Sequence, residues 1–258
     1  MNCDDDVLVI IPARYASTRL PGKPLAKICG EEIILHVCRQ VSQTGYRMAV
    51  ATDDDRIFNC VRNAGYRAIM TDCRHTCGTE RIAEALETLH SDAGIIVNVQ
   101  GDEPMVSPDQ IRAVVNVLKT NPSADIATMV YAFDSGRSYS ELQDPHRVKV
   151  ELSSQGNVIN FSRSVIPWLR GESTESWPSK CQYYTHIGIY AFRANVLREV
   201  VKLPRSPLEI AERLEQMRWL ENGYRISAAV TGSDTIGIDT PADLDRVRKL
   251  YDNNRSAK

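Results

Sequence analysis

Residues Val7–Pro24 read V-L-V-I-I-P-A-R-Y-A-S-T-R-L-P-G-K-P. An apolar run of strand type, Val7–Ile11, empties straight into a loop that carries Arg14, Arg19 and Lys23. From Val7 to Gly30 there are four cations, Lys27 being the fourth, and no carboxylate. The carboxyl end of a first strand is where open α/β sheets bind ligands. Cations gathered there without an acid to neutralise them point to a multiply charged anion, above all a polyphosphate. The alternative is a solvated basic loop. Gly22-Lys23 is followed by Pro24 rather than Ser or Thr, which excludes a Walker phosphate loop. No G-x-G-x-x-G follows the strand, which argues against a dinucleotide-binding oxidoreductase.

Outward from this stretch, strand-like and helix-like patterns alternate. Strands are expected near Val7–Ile11, Arg47–Thr52, Arg67–Met70 and Gly94–Val99, and helices near Ile33–Gln43, Asp54–Ala64 and Glu80–Leu89. Such alternation predicts βαβ units, a mainly parallel sheet and helices on both faces. Ser107, Pro108 and Gln110 set the start of a further helix. Between residues 125 and 192 the pattern turns β-rich, with runs at Ala127–Ala132, Arg147–Leu152, Val158–Phe161 and Tyr184–Phe192. Arg170–Lys180 reads as a loop. A helix is expected from Ser206-Pro207 to about Glu221, then a strand at Arg225–Val230 and a last helix from Pro241. The whole chain, 1–258, reads as one α/β domain, with 125–192 an antiparallel elaboration suited to substrate closure or dimer contact.

The 258 residues carry 31 bases against 33 acids, a net charge of −2, so nothing suggests a nucleic-acid or anionic-membrane partner. No apolar run reaches the ~18 residues of a membrane span. The first six residues are acidic, unlike a secretory signal. Seven scattered cysteines read as reduced thiols. A cytoplasmic protein is expected. Cys73, His75 and Cys77 lie close in sequence without the spacing of a zinc site.

Two acids bear on the basic loop. Asp102 follows the strand Ile95–Val99 in N-V-Q-G-D-E-P and is expected at the same sheet edge. A carboxylate facing a polyphosphate needs a cation between them, and Mg²⁺ is the usual mediator. The alternative is that Asp102 and Glu103 merely start a turn. In G-I-D-T-P-A-D, Thr240, Pro241 and Asp243 fill the roles of a helix start and leave Asp239 for other work. Paired with Asp102, it would complete a two-carboxylate Mg²⁺ site. Gly78-Thr79-Glu80-Arg81 is either a helix start that meets an anion or base, or ordinary capping. Asp53-Asp54-Asp55 reads as helix-start electrostatics. Arg163 and His186 lie in the β-rich region, where a packed core histidine is the plain alternative, and Glu215 and Gln216 sit mid-helix, where a solvated face is the plain reading.

Seven segments in order closely resemble one family, the 3-deoxy-manno-octulosonate (Kdo) cytidylyltransferases, or CMP-Kdo synthetases. They are I-P-A-R-Y-A-S-T-R-L-P-G-K-P, G-T-E-R, V-N-V-Q-G-D-E-P, F-S-R-S-V-I-P, H-I-G-I-Y, L-E-Q-M-R and G-I-D-T-P-A-D-L. The resemblance runs from Val7 to about Tyr251. It implies a Rossmann-like, three-layer nucleotidyltransferase fold, a mainly parallel mixed sheet and a β-rich inserted subdomain. The implied reaction is CTP plus Kdo giving CMP-Kdo and pyrophosphate, in lipopolysaccharide biosynthesis, by a Mg²⁺-dependent homodimer. On that resemblance Arg14, Arg19 and Lys23 hold the CTP phosphates, Ser17 and the loop backbone lie close to the nucleotide, and Gly78, Arg81 and Gln100 frame the cytidine. Asp102 and Asp239 hold Mg²⁺, and Arg163, His186, Tyr190, Glu215 and Gln216 line the Kdo pocket. Departures from the usual pattern are Glu31-Glu32 for a common Lys-Pro pair, Cys77 for a small polar residue and Glu151 for an apolar one. Two rival readings are a cytidylyltransferase for another acid sugar, sialic acid or amino-Kdo, and a catalytically silent nucleotide-binding regulator.

Overall fold

A computed structural model of the chain describes residues 6–16, 20–235 and 237–256. In chain order the strands are β1 (Val7–Ala13), β2 (Lys27–Ile28), β3 (Glu31–Glu32), β4 (Arg47–Thr52), β5 (Ala68–Met70), β6 (Ile95–Asn98), β7 (Ile126–Ala132), β8 (Lys149–Leu152), β9 (Val158–Ser162), β10 (Tyr184–Arg193) and β11 (Ile226–Thr231). The helices are α1 (Ile33–Ser42), α2 (Asp55–Asn63), α3 (Gly78–Thr88), α4 (Pro108–Thr120), α5 (Tyr139–Leu142), α6 (Trp177–Lys180), α7 (Ala194–Val200), α8 (Pro207–Glu212), α9 (Glu215–Glu221) and α10 (Pro241–Ser256). Two compact units divide inside α4: residues 1–112 with 235–258, and residues 113–234.

In the first unit β1 pairs in parallel with β4 on one side and β6 on the other, and β4 pairs in parallel with β5. Val7 to Ile11 are all buried, as a strand covered on both faces must be. The chain steps outward through β1, α1, β4, α2 and β5, then returns by α3 to β6 on the far side of β1. Right-handed crossovers therefore place α1 and α2 on one face of the sheet and α3 on the other. The direction of winding reverses between β1 and β6, so the loops leaving those two strands diverge and open a crevice. Helix starts follow the sequence. Asp54 caps α2 through the Arg56 amide at 3.0 Å. Ser107 accepts from the Asp109 amide at 3.2 Å while Gln110 accepts from the Ser107 amide at 3.0 Å.

The second unit holds β11 parallel to β7, and β7, β10, β8 and β9 paired antiparallel in that order. Two expectations fail in this unit. Arg170–Lys180 is not all loop: a 3-10 turn at Thr174–Ser176 leads into α6. Trp177 drives this, being fully buried, edge-on to Tyr139 and Trp168, and donating Nε1–H to the Glu172 carbonyl at 3.3 Å. Replacing so large a buried ring leaves a cavity, so Trp177→Ala is expected to cost about 3–5 kcal/mol in urea unfolding. A loss under about 1 kcal/mol would mean that α6 is peripheral.

The expected continuous helix from Pro207 to Glu221 is broken. Ser206 and Glu209 form the capping box that opens α8, but Arg213 adopts left-handed geometry (φ +52°) and α9 begins afresh at Glu215. A left-handed non-glycine residue costs about 1–2 kcal/mol. The offset is that the freed ends are taken by Arg163, whose Nε donates to the Glu212 carbonyl at 2.6 Å and whose amide donates to the Glu212 carboxylate at 3.0 Å.

Candidate active site

The crevice between the β1 and β6 loops is a cleft of about 250 Å³, open to solvent. That is more than an ion alone needs, and the open mouth lets a larger ligand extend out of it. Its floor is close-packed backbone. A Cβ on Gly101 would stand 2.8 Å from the Pro12 carbonyl oxygen, so the loop after β6 can lie against β1 only with glycine there. Gly22 turns the basic loop at φ +69°, donating its amide to the Tyr15 carbonyl at 3.0 Å.

Lys23, in a 3-10 turn, is buried, and its ammonium reaches two carboxylates from far along the chain. It donates to Asp102 and, at 3.1 Å, to Asp239. Burial alone would push the Lys23 pKa down. Asp102 and then Asp239 more than offset this, and the ammonium is held above its ordinary value. The basic loop therefore does have acids; they arrive by folding.

The placement of Asp239 has a local cause. Its neighbour Ile238 is fully buried with Ile28, Ile33, Leu244 and Val247, and donates its amide to the Asp102 carbonyl at 3.0 Å. Asp243 accepts from the Thr240 amide and hydroxyl, both at 2.8 Å, and fixes the start of α10. Tyr251, on the same helix, donates its hydroxyl to the Pro104 carbonyl at 2.8 Å. These ties hold the start of α10 against the loop after β6, and the two acidic side chains meet at one point.

Two carboxylates converging on one cationic atom, both hard oxygen donors, suit Mg²⁺ that takes its other ligands from phosphate and water. Among the described residues no cluster of three or more His, Cys, Asp or Glu side chains forms a closed metal cage. Cys73, His75 and Cys77 gather no such set, and His75 instead meets Glu84 through Nε2. Glu103 stands behind the pair. Burial, with the Asp102 charge added, pushes its pKa up to about 8, and Oε2 has no hydrogen-bond partner among the described residues. Burial thus favours its neutral form over a third negative charge beside the pair.

Of the expected nucleotide residues, Arg14, Gly78, Arg81 and Gln100 all line this cleft with Lys23, Asp102 and Asp239. Arg14 is exposed. Arg81 is buried and pinned, donating to Asp53 at 2.7 Å and to the Thr71 hydroxyl at 2.6 Å. Asp53 is thus a partner of Arg81 rather than only helix-start charge. Ser17 and Arg19 lie outside the described residues. Pro12, His75, Thr76 and Cys77 also line the cleft and were not marked as site residues. Their signal was proximity in sequence to Arg14 and Gly78.

The expected sugar residues lie in the second unit. His186 and Tyr190, on β10, stand with ring centroids 5.1 Å apart, and Tyr190 packs edge-on to Trp219 of α9 at 5.0 Å. Burial, reinforced by the Glu215 charge, raises the Tyr190 hydroxyl well above its ordinary pKa. Glu215 accepts from Arg218 at 2.9 Å, and Gln216 is buried on the same helix. Phe161 of β9 packs edge-on to His186, two residues before Arg163. The Arg163 guanidinium is held by the carbonyls of Glu212 and Pro145, the latter at 2.7 Å, with Arg213 at 3.5 Å. Of its five N–H donors, two remain beyond these three bonds. Glu212, which fixes Arg163, was missed because its part depends on the break between α8 and α9.

The family described as cytidylyltransferase matches residues 8–226. A 3-deoxy-manno-octulosonate cytidylyltransferase of Parabacteroides distasonis is 46% identical over 92% of this chain and 94% of its own length. One from Nitrosococcus oceani is 46% identical over 94% and 95%. A solved structure of CMP:2-keto-3-deoxy-manno-octonic acid synthetase complexed with CTP superposes with a TM-score of 0.88 at 38% identity, covering 96% of this chain and 99% of that one. A thymidylyltransferase-like structure from Bacillus anthracis, 17% identical with a TM-score of 0.64 over 95% of this chain and 94% of that one, shares the fold. The fold is the expected nucleotidyltransferase type, a mixed, mostly parallel sheet with helices on both sides.

Proposed function

This chain belongs to the 3-deoxy-manno-octulosonate cytidylyltransferases, and we propose on that footing how its residues transfer CMP from CTP to Kdo with release of pyrophosphate. The observation that carries the reading is the meeting of Lys23, Asp102 and Asp239 in the open cleft at the switch point of the sheet.

The anomeric hydroxyl of the acid sugar attacks the α-phosphorus of CTP in line with departing pyrophosphate. Such a reaction asks the protein for positioning and charge neutralisation more than for covalent work. Arg14 and Lys23, with Arg19 and Ser17 of the same loop, bind the triphosphate and stabilise the leaving pyrophosphate. Gly78 and Gln100 frame the cytidine. Arg81, tied to Asp53 and Thr71, holds the wall of the cleft where α3 begins. Asp102 and Asp239 would hold a divalent cation, Mg²⁺ by the chemistry of its ligands, which when bound neutralises phosphate charge and polarises the α-phosphate.

Arg163 keeps two donors for the sugar carboxylate, and the carbonyls on its other side fix its plane. His186, Tyr190, Glu215 and Gln216 meet the hydroxyls. The product serves lipopolysaccharide assembly, and the working form is a cytoplasmic homodimer. Among the described residues no helix is long and apolar enough to cross a membrane.

Pyrophosphate release from CTP and Mg²⁺, with Kdo and a sialic acid offered in parallel, tests the reading. Release with Kdo alone is expected; release with sialic acid alone would reassign the acceptor, and release with neither would make the chain a silent binder. Arg163→Ala is expected to raise KM for Kdo about tenfold or more, since a charge-assisted pair is lost, while KM for CTP holds. A rise confined to CTP would mean that the sugar pocket is misplaced.

A further inference from the structure

The strand β10 is irregular where its site residues lie. His186 stands opposite Val130 and Ile187 opposite Met129, but the next pair is Tyr190 with Thr128. Gly188 and Ile189 are thus inserted between paired positions, a bulge in the H-I-G-I-Y segment. An insertion of two keeps the alternation of the strand in phase, so His186 and Tyr190 stay on the face that carries Val130 and Thr128. Thr128 reaches diagonally across the ladder to His186.

The hydrogen bonds at Thr128 can be ordered by counting protons. Its hydroxyl has one proton to give. A carbonyl oxygen only accepts, and Thr128 Oγ1 lies 2.9 Å from the Ile189 carbonyl, so the proton goes there. Oγ1 is also 2.9 Å from His186 Nε2. With its proton spent, Oγ1 can only accept in this second bond, and Nε2 must carry the hydrogen. Thr128 is fully buried, so Nε2 is spent on a partner sealed from solvent. His186 itself keeps some accessible surface. A hydrogen bond from its ring to a ligand then has to use Nδ1.

We propose that Thr128 is a positioning residue that fixes His186 as the Nε2–H tautomer, leaving Nδ1 an acceptor that selects a hydroxyl of the sugar and rejects its carboxylate. This rests on the acid-sugar reading above and deepens it. The two ends of the acceptor are told apart by complementary groups: Arg163 offers only donors and His186 only an acceptor. Burial drives the imidazole pKa down to about 3, so the ring stays neutral and the acceptor is kept at neutral pH. A histidine free to exchange tautomers would offer either a donor or an acceptor and lose this discrimination.

The test is ¹⁵N NMR of the histidine side chains in the full-length protein, with His186 assigned by loss of its signals in His186→Gln. The wild type is expected to show His186 as a single Nε2–H tautomer. Thr128→Ser, which keeps the hydroxyl, should retain it. Thr128→Val, equal in shape but without the hydroxyl, should give a mixture or the other tautomer. In pyrophosphate release, Thr128→Val should raise KM for Kdo about tenfold with KM for CTP unchanged, and Thr128→Ser should recover most of that loss. An Nδ1–H tautomer in the wild type would overturn the proposal, as would a Thr128→Val protein with wild-type tautomer and KM. The wild-type spectrum decides even should Thr128→Val fail to fold. Failure of the acid-sugar reading is seen separately, as no pyrophosphate release by the wild type with Kdo.

Discussion

Asp102→Asn and Asp239→Asn are each expected to lower kcat for pyrophosphate release by about a thousandfold or more. Each change keeps shape and volume and removes one negative charge from the only point where the two carboxylates meet. A hard divalent cation gains little from an amide in place of a carboxylate. The amide can still offer its oxygen to the Lys23 ammonium, but its other end becomes a donor that cannot ligate a cation. Removing one preorganised charge contact to a transferring phosphoryl group costs on the order of 10²–10³ in rate, and loss of a metal ligand adds to it. Stability should move far less. The Asp102 side chain is 28% exposed and that of Asp239 51% exposed, so Asp102→Asn should cost about 1–2 kcal/mol and Asp239→Asn under about 1 kcal/mol. The backbone bond from Ile238 to Asp102 is untouched by either change. Turnover within about tenfold of wild type for either folded variant would remove that residue from the metal site.

Both acids were legible because each stands where local chemistry leaves it unused. Asp102 follows a buried strand, and Asp239 precedes a helix whose cap is already filled by Thr240 and Asp243. The same local logic placed β1, β4 and the starts of α4 and α8, since alternation and capping are written within a few residues. What it missed is long-range. Lys23 lies 79 and 216 positions from its two carboxylates, so a loop that reads as uncompensated positive charge is neutralised after folding. Arg81 looked like a free ligand for the base and is held by Asp53 from 28 positions away. The break at Arg213 follows no glycine or proline signal; it is stabilised by hydrogen bonds from Arg163, 49 and 50 positions earlier. Trp177 was hidden in a polar stretch because burial of one large ring outweighs the polarity of its neighbours. The residues gathered in the cleft were readable one by one as candidates, and what surrounds each depends on partners that only the fold supplies.

Lys23→Met is the second large effect expected, and it separates binding of the cation from binding of the nucleotide. Methionine keeps an unbranched apolar stem in a buried place and removes the ammonium. In the wild type that ammonium bridges Asp102 and Asp239, so added Mg²⁺ must displace it before taking both carboxylates. Its pKa is held above the ordinary 10.5, so the competition is undiminished at any neutral pH. The ion pairs of Lys23 contribute stability in full below about pH 10.5, and lose it only as pH climbs through the raised value. Without the lysine the two carboxylates repel each other, and Mg²⁺ alone should bind them. The expected result is a melting temperature that rises with Mg²⁺ in the variant well beyond the rise in wild type, neither sample containing CTP. Turnover should fall about 10²–10³-fold, because one cation for the leaving pyrophosphate is gone. Equal Mg²⁺ shifts in the two proteins would show that the lysine and the cation do not compete for one place. Near-normal turnover would show that the phosphates are held by the arginines of the loop without Lys23.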